Sequence, residues 1–171
     1  MRFLKSTFSR LPVPAGASLK DKDVMLATWF GTGLIRPAPG TVGTLAALPF
    51  GYVIAALGGP IALFIAAVIV FGAGLWAAKH YTKKSSIEDD PSIVIDEVAG
   101  LFIAALPAGH NLFLWAAAFL LFRFFDIWKP WPVSKADRDL KGAAGVMVDD
   151  ALAGVYALFG VAIFSLFFMD Q

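Results

Sequence analysis

The chain has 171 residues, a length typical of one domain, and 58% of them are hydrophobic. Its mean hydropathy of +0.73 is well above that of an ordinary soluble domain and indicates an integral membrane protein. The net charge of +1 gives no reason to expect nucleic acid as a partner, and the absence of cysteine excludes disulfides, thiolate metal sites and cysteine nucleophiles.

The N-terminal part of the chain differs in composition from the rest. Residues 1–23 are basic and contain prolines and a glycine, which predicts a mobile cytoplasmic arm and, without a continuous apolar core, no cleaved signal peptide. Residues 24–35 are apolar but only about half as long as a membrane span requires. They predict a short interfacial or re-entrant helix that ends at Gly31 and Gly33. Residues 24–171 are expected to form a single integral-membrane domain.

Five further apolar stretches predict an all-α, polytopic membrane helix bundle of about five spanning segments. The expected spans are residues 41–57, 61–78, 92–106, 112–128 and 149–169. Thr41 is expected to cap the first span, because threonine is a favourable residue at a helix start. Gly58-Gly59-Pro60 is expected to form a very short return loop between the first two spans.

The third stretch, residues 92–106, is shorter than a full span, so it either crosses the membrane or enters and returns. If it crosses, all fourteen Lys and Arg and twelve of the thirteen acids lie on one side. If it returns, the basic residues of 123–141 lie opposite the others. The positive-inside rule favours the crossing and places the charged groups at the cytoplasmic face.

Carboxylates occur at three places on this face: Asp96-Glu97, Asp126 and Asp149-Asp150. The helix dipole explains one acid at each helix start without any function. Two adjacent acids point about 100° apart on a helix, so one of each pair is expected to face the bundle and the other to cap the helix or face water. A glycine follows each pair and allows another helix to approach.

A shared cation site is the more specific interpretation of these acids, because ionisable residues at membrane depth are usually functional. The expected metal ligands are Asp96, Glu97, Asp149 and Asp150. Oxygen ligands without cysteine or a usable histidine indicate Mg²⁺ rather than zinc.

Four other residues are candidates for binding phosphate: Arg123, Lys129, Gly40 and Thr41. Lys129 lies between tryptophans in WKPWP and is expected beside Asp126, although snorkelling of its ammonium group explains this position equally well. The PAPGTVGT stretch presents N–H groups at a helix start, which favours anion binding, but its glycines also suit helix packing. The charged stretch 135–141 is expected to be solvated surface.

Four motifs occur in the order GTGLIRPAPGTVGTLAALPF, SIVIDEVAG, FRFFDIWKPWP and GVMVDDALAG. Together they resemble the phosphatidylglycerophosphatase A family, from about Trp29 to Gly154. The resemblance implies a Mg²⁺-dependent phosphatase of the bacterial inner membrane that hydrolyses phosphatidylglycerophosphate to phosphatidylglycerol and phosphate. It makes residues 24–171 the catalytic domain, with roles for Asp96, Glu97, Asp126, Asp149, Asp150, Lys129 and the Pro39-Gly40-Thr41 loop.

On this interpretation, acids of the third and fifth spans hold one or two Mg²⁺, and Asp126 or Glu97 transfers protons. The alternative is a cation or phosphate transporter that uses the same acidic cluster. Transporters usually bind their substrate near the bilayer midplane, whereas these acids lie at the ends of the expected spans.

Overall fold

The computed structural model describes residues 9–87 and 90–168. The described part contains six α-helices and a 3₁₀ turn, Thr32–Leu34, and it has an isolated β-bridge but no β-strand. The all-α class is therefore confirmed. The helices are α1 (Lys22–Ala27), α2 (Pro39–Ser85), α3 (Ile95–Ala104), α4 (Leu112–Trp128), α5 (Val133–Asp139) and α6 (Gly142–Phe168).

The long helix α2 consists of two limbs, residues 39–58 and 60–85. Gly59 separates them, because its backbone leaves the helical region at φ 69° and ψ −168°. Glycine adopts this left-handed φ without the steric cost that a side chain would add. The interruption lies within Gly58-Gly59-Pro60, where the sequence predicts the return between two spans.

The two limbs of α2 fold back beside each other on the start of α3. A Cβ on Gly43 would lie 2.7 Å from Cβ of Val94, and a Cβ on Gly74 would lie 3.3 Å from Cγ2 of Ile95. A straight helix would separate Gly43 from Gly74 by about 46 Å. Because the two glycines lie against Val94 and Ile95, which are adjacent residues at the start of α3, the chain must reverse its direction between them.

Two of the described helices, α2 and α6, are long and apolar enough to cross a membrane. The expected count of about five spans is not confirmed. Helix α4 has 17 residues, and α3 has ten residues and a length of about 15 Å, which is half the hydrocarbon thickness of a bilayer. Helix α3 lies inside the bundle, where eight of its ten residues are buried.

The N-terminal elements differ from the predicted ones in their boundaries. Helix α1 ends at Ala27, before the two glycines expected to stop it, because Trp29 and Phe30 take left-handed backbone conformations. Residues 1–8 of the predicted arm lie outside the described residues. The part from residue 9 onward includes a backbone bridge between Arg10 and Ile35.

Two further helix starts were predicted wrongly. Helix α2 begins at Pro39 after Ala38, which makes no side-chain capping bond, so Thr41 is not the cap. Proline suits this first position because it has no N–H to leave unbonded. Helix α6 begins at Gly142 rather than at Asp149. The last predicted residue of that span, Met169, lies outside the described residues.

A contact between two glycines sets the distance between α3 and α6. A Cβ on Gly154 would lie 2.5 Å from the carbonyl oxygen of Gly100 and 3.0 Å from its Cα. The two helix backbones therefore touch at this point, as the glycines after each acidic pair predict. Asp96 and Asp150 each lie four residues, about one turn, before one of these glycines, so the crossing brings the two acidic turns together.

Candidate active site

A cavity of about 370 Å³ opens where α2 and α3 begin and α4 ends. It is lined by residues of α2, α3, α4, α5 and α6, together with parts of the connecting segments. Every site residue predicted from the sequence contributes to its lining: Gly40, Thr41, Asp96, Glu97, Arg123, Asp126, Lys129, Asp149 and Asp150. Residues separated by up to 110 positions in the chain thus share one cavity.

Three carboxylates form the most compact group in this cavity. Asp96 and Glu97 lie in the first turn of α3, and Asp150 lies in the third turn of α6. One oxygen atom from each lies within 4.8 Å of the other two. Three carboxylates at this separation repel one another strongly unless a cation or protons neutralise them.

The same three residues have buried oxygens that are free to bind a cation. Oδ1 of Asp96, Oε2 of Glu97 and Oδ2 of Asp150 have no hydrogen-bond partner among the residues that the structure describes. A buried, unpaired carboxylate oxygen is costly. Because divalent cations such as Mg²⁺ bind through oxygen ligands, the donor set fits such an ion.

Asp149 lies in the cavity but has different partners from its neighbour Asp150. Its Oδ2 accepts a hydrogen bond from Nζ of Lys129 at 2.7 Å, and its Oδ1 accepts one from the backbone N–H of Asp150 at 3.0 Å. It is also not a member of the compact group of three carboxylates. Its predicted role as a metal ligand therefore has less geometric support than that of the other three acids.

The expectation that one acid of each pair faces away from the site is wrong. The exposed fractions are 7% for Asp96, 5% for Asp149 and 4% for Asp150. Glu97 also lines the cavity, and its side chain is only 12% exposed. Neither pair sits on a helix with an exposed face at that level, because eight of the ten residues of α3 are buried and residues 145–154 of α6 are all buried or half-buried.

Arg123 lines the cavity between two acids, Asp126 and Glu97. Its Nη1 lies 2.7 Å from Oδ2 of Asp126, as the three-residue spacing predicts, and 3.6 Å from Oε1 of Glu97. The backbone of Gly40 lies against Glu97 and Arg123. A Cβ on Gly40 would collide with Oε1 of Glu97 and lie 3.2 Å from Nη1 of Arg123. The first turn of α2 is therefore in close contact with Arg123.

The first turn of α2 presents backbone N–H groups to this part of the cavity. The first backbone bond at this end runs from N–H of Val42 to the carbonyl of Ala38. The N–H groups of Gly40 and Thr41 precede it and have no carbonyl of their own helix to bind. A helix start with free N–H groups beside an arginine is a suitable place for an anion.

Lys129 is bound by two acids, neither of which is the predicted Asp126. Its Nζ donates to Asp149 and, in a very short contact, to Asp137. Burial lowers the pKa of Lys129, but these two hydrogen bonds outweigh burial and raise its pKa above the ordinary value. Lys129 therefore remains protonated across the physiological range and provides a fixed positive charge at the cavity rim.

Asp137 is the site residue that the sequence did not indicate. The stretch expected to be solvated surface, residues 135–141, overlaps the helix α5, which places Asp137 in the cavity lining next to Lys129. Its spacing of eight residues from Lys129 crosses a turn and a helix start, so no helical periodicity connects the two. Asp90 also lines the cavity without having been predicted.

Comparison with known proteins places the chain in a family. The family profile described as Phosphatidylglycerophosphatase A matches residues 25–165. The chain belongs to the phosphatidylglycerophosphatase A family. The matched region contains every cavity residue predicted from the sequence, and membership makes the chain a phosphatase.

Three relatives show how far this similarity extends. The phosphatidylglycerophosphatase A of Escherichia coli (strain K12) is 40% identical over 134 residues, which cover 77% of this chain and 76% of the relative. The protein of that name from Haemophilus influenzae is 41% identical over 135 residues, covering 78% and 83%. A putative phosphatidylinositol-3-phosphatase of Bacteroides thetaiotaomicron is 39% identical over 154 residues, covering 82% and 91%. No solved structure matches the chain.

Proposed function

We propose that the chain hydrolyses phosphatidylglycerophosphate to phosphatidylglycerol and phosphate, with Mg²⁺, at the cytoplasmic face of a bacterial inner membrane. The observation that carries the proposal is the group of three buried carboxylates, Asp96, Glu97 and Asp150, in a cavity that also contains Arg123 and a helix start. Two relatives are named for this substrate, and the third is named for another lipid with a phosphate monoester.

The three carboxylates are the residues that would hold Mg²⁺. When bound, the ion would neutralise charge on the phosphate and activate the attacking water. Uncatalysed phosphate monoester hydrolysis is extremely slow, so neutralising the charge and positioning the water are the main tasks of such a site. Two cations, Arg123 and Lys129, share the cavity with the acids and contribute to the same task.

Arg123 and the first turn of α2 are suited to bind the phosphate oxygens. The guanidinium group offers several donors in a plane, and the N–H groups of Gly40 and Thr41 point out of the helix start. Because these groups come from different helices, they can surround the phosphate from two sides. Lys129 lies at the rim, where it would attract the negatively charged headgroup and hold it near the acids.

Asp126 is the residue best placed for proton transfer. It lines the cavity but is not one of the three close carboxylates, and Arg123 holds it at 2.7 Å. In hydrolysis, the water oxygen forms a bond to phosphorus while the bond from phosphorus to the glycerol oxygen breaks. Asp126 would take one proton of the water and later release it to solvent, and the leaving glycerol oxygen would take up one proton from solvent. Glu97, the other predicted candidate, is better suited as a ligand.

The position of the cavity favours a lipid phosphatase over a transporter. The acids lie at the start of α3 and near the start of α6, at the end of the bundle, whereas transporters usually bind their substrate at mid-depth. The apolar helices α2 and α6 extend away from this end and are compatible with a substrate whose acyl chains remain in the bilayer. None of the three relatives described above is a transporter.

Phosphate release from purified protein in mixed micelles tests the proposal. We expect hydrolysis of phosphatidylglycerophosphate that EDTA abolishes and added Mg²⁺ restores. A parallel assay with phosphatidylinositol 3-phosphate shows whether the chain instead hydrolyses the lipid for which the Bacteroides relative is named. Full activity in excess EDTA would refute the metal requirement, and ion-driven uptake into liposomes without phosphate release would favour the transporter.

Replacement of Lys129 by glutamine tests its role at the rim. We expect KM to rise about 10- to 100-fold while kcat changes little, because a charge-assisted contact worth roughly 1.5–3 kcal/mol is lost from the bound headgroup. Steady-state kinetics in mixed micelles provide the measurement, with exposed Lys135→Gln on α5 as the control. A lower Tm with unchanged KM would show that Lys129 stabilises the packing of α5 against α6 but does not bind the headgroup.

A further inference from the structure

The first limb of α2 and the helix α4 enclose a second cavity, of about 350 Å³, outside the active site. It is lined by Leu48, Pro49, Tyr52, Leu112, Trp115 and Ala116, and is called the apolar groove below. None of these residues is charged. The indole N–H of Trp115 donates to the carbonyl of Gly109 at 3.0 Å, so its hydrogen bond is already satisfied within the protein.

Two helix faces connect the apolar groove with the active site. Each carries residues at positions i, i+4, i+7 and i+11, a spacing that keeps them on one side of a helix. On α2 these residues are Thr41, Leu45, Leu48 and Tyr52, and on α4 they are Leu112, Ala116, Phe119 and Arg123. Thr41 and Arg123 line the active site, while the residues at the other end of each face line the groove.

The two helices lie side by side, with a contact near each end of these faces. At the active-site end, a Cβ on Gly40 would lie 3.2 Å from Nη1 of Arg123. At the far end, the rings of Tyr52 and Trp115 pack edge to face with centroids 5.9 Å apart. Each face advances by eleven residues of helix, from Thr41 to Tyr52 on α2 and from Leu112 to Arg123 on α4, a length of about 16 Å.

We propose that the apolar groove binds one acyl chain of the lipid whose phosphate enters the active site, an inference that rests on the proposed function. The path changes from charged to apolar along its length, as a phospholipid does. It is open at the side, because Leu45 is 48% exposed and Leu112 is 67% exposed. A chain can therefore enter from the bilayer without passing through water, and its burial adds affinity in proportion to the apolar area covered.

Tryptophan substitutions that fill the apolar groove test the proposal. Leu48→Trp and Ala116→Trp place a large ring in the path of the chain, and Ala116 is exposed, so this change does not disturb the core. We expect KM for long-chain phosphatidylglycerophosphate to rise about 10-fold, with kcat within twofold of the wild type. The matched control is Leu57→Trp, an 86% exposed leucine at the far end of the same limb that does not line the groove.

Photo-crosslinking locates the chain directly. A phosphatidic acid with a photoreactive group in one acyl chain serves as the probe, because it is also a two-chain lipid that ends in a phosphate monoester. We expect labelling of the peptides around residues 48–52 and 112–116, with competition by unlabelled phosphatidylglycerophosphate but not by phosphatidylcholine. Two results would refute the apolar groove as the acyl-chain site. One is labelling spread over the other lipid-facing surfaces, and the other is a KM for Leu48→Trp and Ala116→Trp equal to that of Leu57→Trp.

The two proposals fail in different ways. Absence of phosphate release from phosphatidylglycerophosphate by the wild-type protein would refute the proposed function, while the crosslinking pattern would still report on the groove. Normal hydrolysis by the wild type, combined with unchanged KM in both groove variants, would refute acyl-chain binding in the apolar groove but not the proposed function.

Discussion

Replacement of Asp150 by asparagine is expected to lower kcat/KM by about 10³-fold or more, which corresponds to roughly 4 kcal/mol of transition-state stabilisation. The amide keeps the shape of the side chain but removes a charge from the group formed with Asp96 and Glu97. Its nitrogen cannot bind a cation, and the remaining oxygen is a weaker ligand than a carboxylate. Asp96→Asn is expected to behave in the same way.

A stability measurement separates this effect from misfolding. In EDTA, Asp150→Asn is expected to unfold at the same temperature as the wild type or higher, because it relieves repulsion among close carboxylates. The wild type is expected to gain up to about 2.7 kcal/mol at a Mg²⁺ concentration 100 times its dissociation constant, and the variant much less. Exposed Asp139→Asn is the control. Wild-type turnover in both Asp150→Asn and Asp96→Asn would refute the assignment of these acids.

Replacement of Gly154 by alanine is expected to lower kcat/KM by about 100-fold without changing any group that contacts the substrate. The new Cβ would lie 2.5 Å from the carbonyl oxygen of Gly100, so α3 and α6 must separate by about 1 Å. This separation moves Asp96 away from Asp150, and a misplacement of this size is known to cost about 10²-fold in rate. Overpacking is also expected to destabilise the fold by about 1–3 kcal/mol.

Gly72→Ala is the matched control for this substitution. Gly72 lies in a helix, as Gly154 does, but a Cβ there would meet no atom within 4 Å. Alanine at such a helical position is expected to leave activity unchanged and to stabilise the protein slightly. Phosphate release, Tm and the Mg²⁺ concentration needed for half-maximal rate give the comparison. Equal rates for Gly154→Ala and Gly72→Ala would show that the glycine contact does not set the geometry of the acids.

The sequence predicted which residues line the site better than it predicted which of their side chains contact each other. Acids and cations in three motifs, together with Gly40 and Thr41 in a fourth, indicated one site, and the structure brings them to one cavity. The pairing of Arg123 with Asp126 followed from their spacing on a helix. Asp137 could not be found in this way, because its contact with Lys129 depends on how α5 docks after the turn at Pro130 and Pro132.

The burial of the acids was predicted wrongly from helix geometry alone. The argument that adjacent acids face in different directions assumes a helix with one polar side. Helix α3 has no such side, since its residues are buried on nearly all faces. The predicted fifth span begins at its acidic pair, at Asp149. The small residues from Gly142 onward continue the helix instead, so the acids lie inside it.

The number of membrane spans also could not be read from apolar stretches alone. Two of the predicted spans are limbs of one helical hairpin, interrupted at Gly59, which the Gly-Gly-Pro sequence indicates. The predicted third span is a helix of only ten residues, packed between other helices. Its apolar residues contact protein, and an apolar sequence does not distinguish that environment from lipid.

Anomalous diffraction from crystals of the protein loaded with Mn²⁺ in place of Mg²⁺ tests the central claim most directly. We expect a single strong peak, or two adjacent peaks, between the carboxylates of Asp96, Glu97 and Asp150, and a greatly weakened signal in Asp150→Asn. A manganese peak elsewhere in the protein, or none at saturating Mn²⁺ under conditions that support phosphate release, would contradict the account.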